Sequence, residues 1–291
     1  MNSSQNIPNL LTTLKPQDLS ALTSTEIEEM NKLIAITGNG CLEFSGICQI
    51  LDYQWDEFGC DNQNLDWDNI GKFYNHPVWL LNGMFIEQDP LSMQLRQSLV
   101  DWIVDRKDCI NSVLDYGGGF GTIARAIAAQ SSNLLVDVYE PHPHNLAIFK
   151  STEYSNIKFI NSIDRQYDCL ISTDVLEHVA DPLRVFASAI ESVKLNGYLV
   201  ISNHFAPTIK CHLPATFHLV YTFDYFAKIM GLSVLGTCPG TYATIYQKVV
   251  KKPLNWELIN KLAAISSGLY PLLRAIARTK NKLSQVISQS L

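Results

Sequence analysis

Residues 112–129 read SVLDYGGGFGTIARAIAA, an order of residue types that predicts a strand, a glycine turn and the start of a helix. Val113 and Leu114 form an apolar run, Asp115 ends it with a carboxylate, and Gly117, Gly118, Gly119 and Gly121 lead into an alanine-rich helix predicted over Thr122–Gln130. Glycines at such a turn permit positive φ and let a ligand lie against bare backbone. The helix start behind them presents unpaired N–H groups. Thr122 stands where a dinucleotide fingerprint has its third glycine, which weighs against a nicotinamide cofactor.

Working outward, Leu134–Tyr139 is predicted as a second buried strand ending in Glu140. An acid about 20 residues beyond a glycine turn, at the carboxyl end of the next strand, is placed to hold a ribose by its two hydroxyls. A helix over Pro143–Lys150, a third strand over Ile157–Ile160 and a fourth beginning at Tyr167 follow. Asp181 and Pro182 then open a helix as N-cap and first residue, with Leu183, Phe186, Ile190 and Val193 on its apolar face. Leu195-Asn196-Gly197 reads as that helix's C-cap, and Tyr198–Ser202 as a fifth strand with Asn203 and His204 at its carboxyl end. After an insertion carrying His212 and His218, a helix over Thr222–Met230 and a hairpin of Val234–Cys238 with Thr241–Lys248 bring the strands to seven. The fold expected is α/β, a doubly wound, mostly parallel Rossmann-like sheet with helical additions at both ends. Its divisions are a helical or lid extension over 1–88, a core over 89–252 and a basic helical extension over 253–291.

In the N-terminal extension, Thr23 and Glu26 form a capping box before Ile27, Met30, Leu33 and Ile34, and Gly38 ends the pattern. Residues 41–86 mix acids with aromatics. They read either as an acidic loop whose rings plug the core or as a substrate lid, since aromatic faces beside carboxylates suit an amine-bearing ligand. Within KFYNHPVWLLNGMF, Tyr74, His76 and Trp79 are candidates to face a substrate, while His76 is equally placed to cap the next helix. Asp89 and Pro90 start another helix, with Leu91, Leu95, Leu99, Trp102 and Ile103 on its predicted buried side.

The chain has 291 residues, 47% hydrophobic and 17% charged, with a formal net charge of −6. That composition suits a folded protein and argues against nucleic acid as partner, since phosphate neutralisation needs a basic surface. Seven cysteines without a CxxC pair read as reduced thiols. The N-terminal MNSSQNIPNL has neither the basic nor the apolar region of a signal peptide, and no apolar run of about 18 residues occurs. A cytoplasmic protein without an integral membrane segment is expected. Beyond Leu254, Lys261, Arg274, Arg278, Lys280 and Lys282 are set against Glu257 alone. Such a tail could meet anionic lipid, a partner or a second copy as a homodimer, but its apolar residues read as interrupted by Gly268 and Pro271, which favours a solvated helix packed on the domain.

The hydrophobic strand, acid and GxGxG turn resemble the first motif of the class I S-adenosylmethionine-dependent methyltransferases. The stretch YDCLISTDVLEHVADPLRVF (167–186) is similar to the small-molecule branch, notably the ubiquinone-type O-methyltransferases, with its strand, Leu-Glu-His turn and Asp-Pro helix start. The resemblance implies S-adenosyl-L-methionine as cofactor, its methionine part on Gly117, Gly119 and Gly121 with Asp115 fixing that end, and Glu140 on the ribose. Many relatives hold the adenine through an acid after the third strand. Here Ser162, the Ile163 backbone or Asp164 stand there. Ser172, Thr173 and Asp174 would lie at the sheet's carboxyl edge beside the methyl group, and leading helices in the family often close over the cofactor. The Asn/Asp-Pro-Pro-aromatic signature of amide and base N-methylation is missing.

Methyl transfer from a sulfonium is an in-line displacement that needs alignment, exclusion of water and sometimes a base. His204, His218, His178 and His76 are the base candidates, His204 first because it ends a strand at the edge where ligands collect. Asp174, Glu177 and His178 also resemble a Glu-x-x-Glu-His metal motif, with His204 or His218 as fourth ligand, although a shorter Asp leads it and the expectation is no metal. O-methylation of a small-molecule hydroxyl is the leading reading. N-methylation of an amine stays open, as does a cofactor-binding or NAD-dependent protein without methyl transfer.

Overall fold

The computed structural model describes residues 10–37 and 42–289; Gly38 and Cys41 lie outside them. Six helices come first: α1 (Pro16–Leu19), α2 (Ser24–Ile36), α3 (Phe44–Glu57), α4 (Trp67–Tyr74), α5 (Val78–Gln88) and α6 (Pro90–Val104). Strands and helices then alternate as β1 (Ser112–Tyr116), α7 (Thr122–Gln130), β2 (Leu135–Tyr139), α8 (Asn145–Ser151), β3 (Ile157–Ile160), β4 (Tyr167–Thr173), α9 (Pro182–Glu191) and β5 (Val193–Ser202). A 3-10 segment over Pro214–Tyr221 precedes α10 (Phe223–Ile229), β6 (Leu232–Thr237), β7 (Thr244–Lys248) and α11 (Trp256–Gln289). The seven strands form one sheet in the order β3-β2-β1-β4-β5-β7-β6. All pairings are parallel except those of β7, which runs antiparallel to both β5 and β6. The order reverses between β1 and β4, and in an open α/β sheet ligands collect outside the strand ends at such a reversal.

Local chemistry explains the frame. The Thr23 hydroxyl accepts the Glu26 N–H while the Glu26 carboxylate takes the Thr23 N–H at 2.7 Å, a closed capping box, worth about 1 kcal/mol. Asp89 and Asp181 cap α6 and α9 ahead of their prolines, each carboxylate accepting the N–H of the residue three further on. One apolar layer packs Val100, Ile103, Ile123 and Ile127 against Val113, Val138 and Val200. The opposite face gathers Phe186, Phe223, Phe226 and Met230 on Leu114, Leu170, Leu199 and Tyr246.

A third cluster joins the N-terminal helices to the ligand edge. Met30, Ile50, Trp55, Phe73, Leu81 and Phe85 are buried together with Phe120 of the glycine turn, Leu146 and Ala147 of α8, and Cys211. Gly83 of α5 lies so close to Phe120 that a Cβ there would stand 2.5 Å from the Phe120 Cβ. The helices therefore form a cap seated on the turn.

Several expectations are corrected. Residues 44–88 are three helices in place of an acidic loop; α5 is apolar on nearly every side because it is enclosed, so it carries little one-sided pattern. Leu91 is 65% exposed, since it sits in the first turn of α6 before the helix reaches the sheet. Val193 begins β5 and pairs with Tyr167, and Leu195-Asn196-Gly197 belongs to an irregular part of that strand, with Asn196 at φ 65, in place of a helix end. Helix α11 runs unbroken through Gly268 and Pro271. Among the described residues Cys48, Cys60, Cys109, Cys169, Cys211 and Cys238 are free thiols, and no helix is long and apolar enough to cross a membrane.

Candidate active site

The glycine turn leaves β1 and passes under the cap. Gly117, Gly119 and Gly121 have φ of 70, 50 and 72. Their surroundings differ. A Cβ on Gly117 would strike Val175 at 2.4 Å, whereas one on Gly119 would meet nothing within 4 Å. Gly119 is thus the point where bare backbone faces free space, and its N–H is already oriented by Glu140, whose Oε2 accepts it at 2.9 Å. The other oxygen, Oε1, accepts the His142 N–H at 3.0 Å. Both oxygens fix Glu140 against the turn. Tyr116 and Tyr139 pair their rings 5.3 Å apart beside it, a wall that strand endings alone do not advertise in the sequence.

Asp115 is buried beneath this turn, accepting the Ala124 N–H of α7, and burial pushes its carboxyl up to about 7. Ser162 is exposed, and its hydroxyl donates to Asp164 at 2.8 Å, so the two candidates for the adenine contact form one polar unit.

Glu87 at the end of α5 clamps the cap to the core. Its carboxylate pairs with buried Arg125 of α7 and accepts from Lys150 Nζ at 2.6 Å. No local motif announced this triad, because its members are spread over three elements.

The second half of the site follows β4. Asp174 has φ 55, an unusual conformation for a residue with a side chain, and its N–H is held by the Ser202 carbonyl at 2.9 Å. Burial raises its pKa, against the pull of Arg96 and His204 and the Tyr242 hydroxyl. Arg96 and Tyr242 line a pocket with Thr173, Asp174 and Ser202. Three residues on, Glu177 is fully buried. Its Oε1 accepts the His204 backbone N–H at 2.6 Å, and burial together with the Asp174 charge pushes its carboxyl up to about 8.

Histidines gather over Glu177. The His178 and His212 rings are 4.9 Å apart, and His204 lies 5.8 Å from His212. His178 Nδ1 bonds the Cys211 carbonyl at 3.2 Å and His212 Nδ1 the Ala206 carbonyl at 2.7 Å, which leaves both Nε2 atoms free for other partners. Burial, and then His212, push the His178 imidazole down to about 3, so it is neutral. Tyr74 stacks on Trp79 at 5.2 Å, both rings stand nearly perpendicular to His178 at 6.1 and 6.0 Å, and His142 also stacks on Tyr74. His212 was absent from the sequence candidates, since only the fold of segment 203–213 carries it above Glu177.

Two candidates stay outside this group. His218 bonds Ser266 of α11 at 2.8 Å. His76 accepts the Val78 N–H at 3.3 Å, and its Nε2 lies 3.8 Å from Glu29, so it caps α5 inside the helical cap.

Among the described residues, Glu177, His178 and His212 bring potential metal-ligand atoms within 4.8 Å of one another, a set in which His212 replaces the Asp174 of the sequence motif. Buried polar atoms without a partner include Asp115 Oδ2, Ser172 Oγ, Asp174 Oδ1, Glu177 Oε2, Asn203 Oδ1 and Trp79 Nε1. Five of the six belong to the ends of β1, β4 and β5 or the turns after them. Each such orphan costs about 1–3 kcal/mol. Their concentration on one sheet edge fits a bound polar ligand there.

A family described as "Methyltransferase domain" matches residues 87–230, from the end of α5 to the end of α10. The ubiquinone biosynthesis O-methyltransferase of Rickettsia prowazekii is 24% identical over 226 residues, covering 73% of this chain and 82% of the relative. The protein of the same description from Pseudomonas fluorescens is 27% identical over 179 residues, covering 57% of this chain and 73% of that one. Among solved structures, an O-methyltransferase family protein from Burkholderia thailandensis has a TM-score of 0.49 and 15% identity over 72% of this chain and 73% of its own.

Proposed function

Because the chain belongs to the class I S-adenosylmethionine-dependent methyltransferases, we propose that it transfers the methyl group to a hydroxyl of a small organic acceptor. The observation that carries this reading is the assembly of His178, His204 and His212 over buried Glu177, next to Asp174, in the turn after β4 whose Val175 packs against Gly117 of the glycine turn. Relatives named as O-methyltransferases support the choice of oxygen.

S-adenosylmethionine, when bound, supplies a methyl group on a leaving group that is already activated. The chain's residues do the rest. Glu140, preset on the Gly119 N–H, offers its carboxylate to the ribose hydroxyls. Asp115 and Asp174 offer carboxylate oxygens that lack protein partners to the cationic end. Tyr74 and Trp79 form an aromatic wall at the histidines, and the cap excludes water through Phe120 and the Glu87 clamp. His204, which is exposed, and His212 are the groups that accept the acceptor's hydroxyl proton, whereas neutral His178 is too weak a base.

A specific observation supports a metal-assisted variant. Each of the two histidines engages a backbone carbonyl through Nδ1, the arrangement that fixes Nε2 for a metal, and Glu177 Oε2 has no partner. Glu177, His178 and His212 would hold a divalent cation there, and it would acidify the acceptor hydroxyl.

The test is calorimetric titration with S-adenosylmethionine, S-adenosylhomocysteine and NAD in parallel, followed by assay of phenolic and amine acceptors. Micromolar binding of the first two and turnover of hydroxylated acceptors is expected. Turnover of amines alone would replace O-methylation by N-methylation, and binding of NAD alone would overturn the reading.

A further inference from the structure

Helix α11 carries more apolar surface than the domain covers. Leu258, Leu262, Ile265, Leu269, Leu272 and Ile276 recur at alternating intervals of four and three residues, so they fall within a sector of about 80° on a helix that turns 100° per residue. The side that meets the domain lies about a quarter turn away, where Ile259 is 1% and Ser266 6% exposed. There the helix packs on the 3-10 segment Pro214–Tyr221, with His218 and Thr222 both bonded to Ser266. The neighbouring stripe is bare: Leu258 is 48%, Ile265 57%, Leu269 46%, Leu272 59% and Ile276 57% exposed. It extends about 27 Å along the axis at 1.5 Å per residue. Five aliphatic side chains aligned in water over that length make a surface built to be covered.

Charge identifies the cover. Over residues 256–289 the helix has five basic residues, Lys261, Arg274, Arg278, Lys280 and Lys282, against Glu257, a net charge of +4 in a chain whose total is −6. The remainder therefore carries −10, and the element with the uncovered stripe is strongly positive against it. Pairing two such helices would bring like charges together. A bilayer rich in anionic lipid instead offers an apolar layer for the stripe and negative headgroups for the lysines and arginines. We infer that α11 is an interfacial helix that docks the protein on the surface of an anionic phospholipid membrane, lying in its plane.

The test is flotation of the full chain with vesicles of phosphatidylcholine alone and of phosphatidylcholine containing 30% phosphatidylglycerol, as a chosen probe composition. Binding is expected to the anionic vesicles, at least tenfold stronger than to the neutral ones, and weakened by high salt. Because their side chains are exposed, Leu269→Gln combined with Leu272→Gln should leave the unfolding temperature within about 3 °C and cut vesicle binding at least tenfold. Lys261→Glu combined with Arg274→Glu should remove the preference for anionic lipid. Equal affinity for both vesicles, no flotation with either, or binding untouched by the Leu269/Leu272 variant would overturn the proposal. So would a dimer in sedimentation that the same variant dissociates, since the stripe would then be occupied by a second copy.

Discussion

Glu177 holds His204 through the backbone: the His204 N–H donates to Glu177 Oε1 at 2.6 Å across 27 residues of sequence. The Glu177 carbonyl also accepts the Leu213 N–H at 2.8 Å. One residue thereby ties the turn after β4 to both ends of the segment that carries His204 and His212. Its second carboxylate oxygen is buried and unpartnered, so the same side chain that builds the site retains a free ligand atom.

Glu177→Gln keeps an oxygen acceptor for the His204 N–H and replaces a carboxyl that can ionise onto a bound cation with an amide that cannot. S-adenosylmethionine affinity should stay within threefold while turnover falls at least 30-fold. On the metal-assisted variant, chelation of the unaltered protein should lower turnover at least tenfold, with recovery on adding Mn²⁺ or Zn²⁺, which suit two imidazoles and a carboxylate, and neither ion should rescue the substituted protein. Turnover insensitive to chelation would leave proton transfer to histidine as the whole of the chemistry.

Gly117 and Gly119 of the turn should fail differently. Gly119→Ala adds a methyl group to open space at positive φ, a strain of about 1–2 kcal/mol, and is expected to fold yet bind S-adenosylmethionine at least tenfold more weakly. Gly117→Ala meets Val175 and should lower the unfolding temperature by more. Thermal unfolding and calorimetry on both variants separate the effects, and equal binding losses per degree of destabilisation would mean that Gly119 borders no ligand.

Glu140→Ala should weaken S-adenosylmethionine by at least tenfold, since it loses both the ribose acceptor and the group that orients the Gly119 N–H. Unchanged affinity by calorimetry would remove Glu140 from the cofactor site.

The histidines are expected to divide by location. His204→Ala and His212→Ala should each lower turnover at least 20-fold with cofactor affinity little changed. His218→Ala breaks a contact with α11 at Ser266, and should lower stability by about 1–2 kcal/mol with turnover within threefold. Steady-state kinetics alongside denaturant titration decides, and a turnover loss at His218 matching that at His212 would contradict this division.

How much could be read without coordinates depends on the range of the signal. The glycine turn, Glu140 and the Asp181-Pro182 helix start are patterns of adjacent residues, and they predicted β1, α7, β2 and the start of α9 nearly to the residue, although the end of α9 was read several residues too late. The cap was harder to read. Helix α5 is enclosed and so lacks a polar face, and acids scattered through 43–68 made α3 and α4 resemble a loop. Asn196 in a left-handed conformation reads locally like a helix end, and only pairing with β4 and β7 makes it part of a strand. The contacts that complete the site, Arg96 and Tyr242 at Asp174, His212 over Glu177 and Glu87 on Arg125, join elements far apart in sequence. Spacing carries no information about them.

Asp115 makes stability depend on pH in a direction opposite to that of an ordinary ion-paired carboxylate. Burial moves its pKa from 3.8 to about 7 in the folded chain. Between those values the folded protein retains a proton that the unfolded chain has lost. Linkage then requires that this group's contribution fall as pH rises through the interval and level off above about 7. At about 1.4 kcal/mol per unit, the loss from pH 5 to pH 7.5 is at most about 3 kcal/mol. Asp115→Asn abolishes the titration, so the difference in unfolding free energy between variant and parent, measured in urea at the two pH values without ligand, should shift in favour of the variant as pH rises. A difference independent of pH would show that Asp115 is ionised in the folded chain, and its unpartnered Oδ2 would then need a cation already in place.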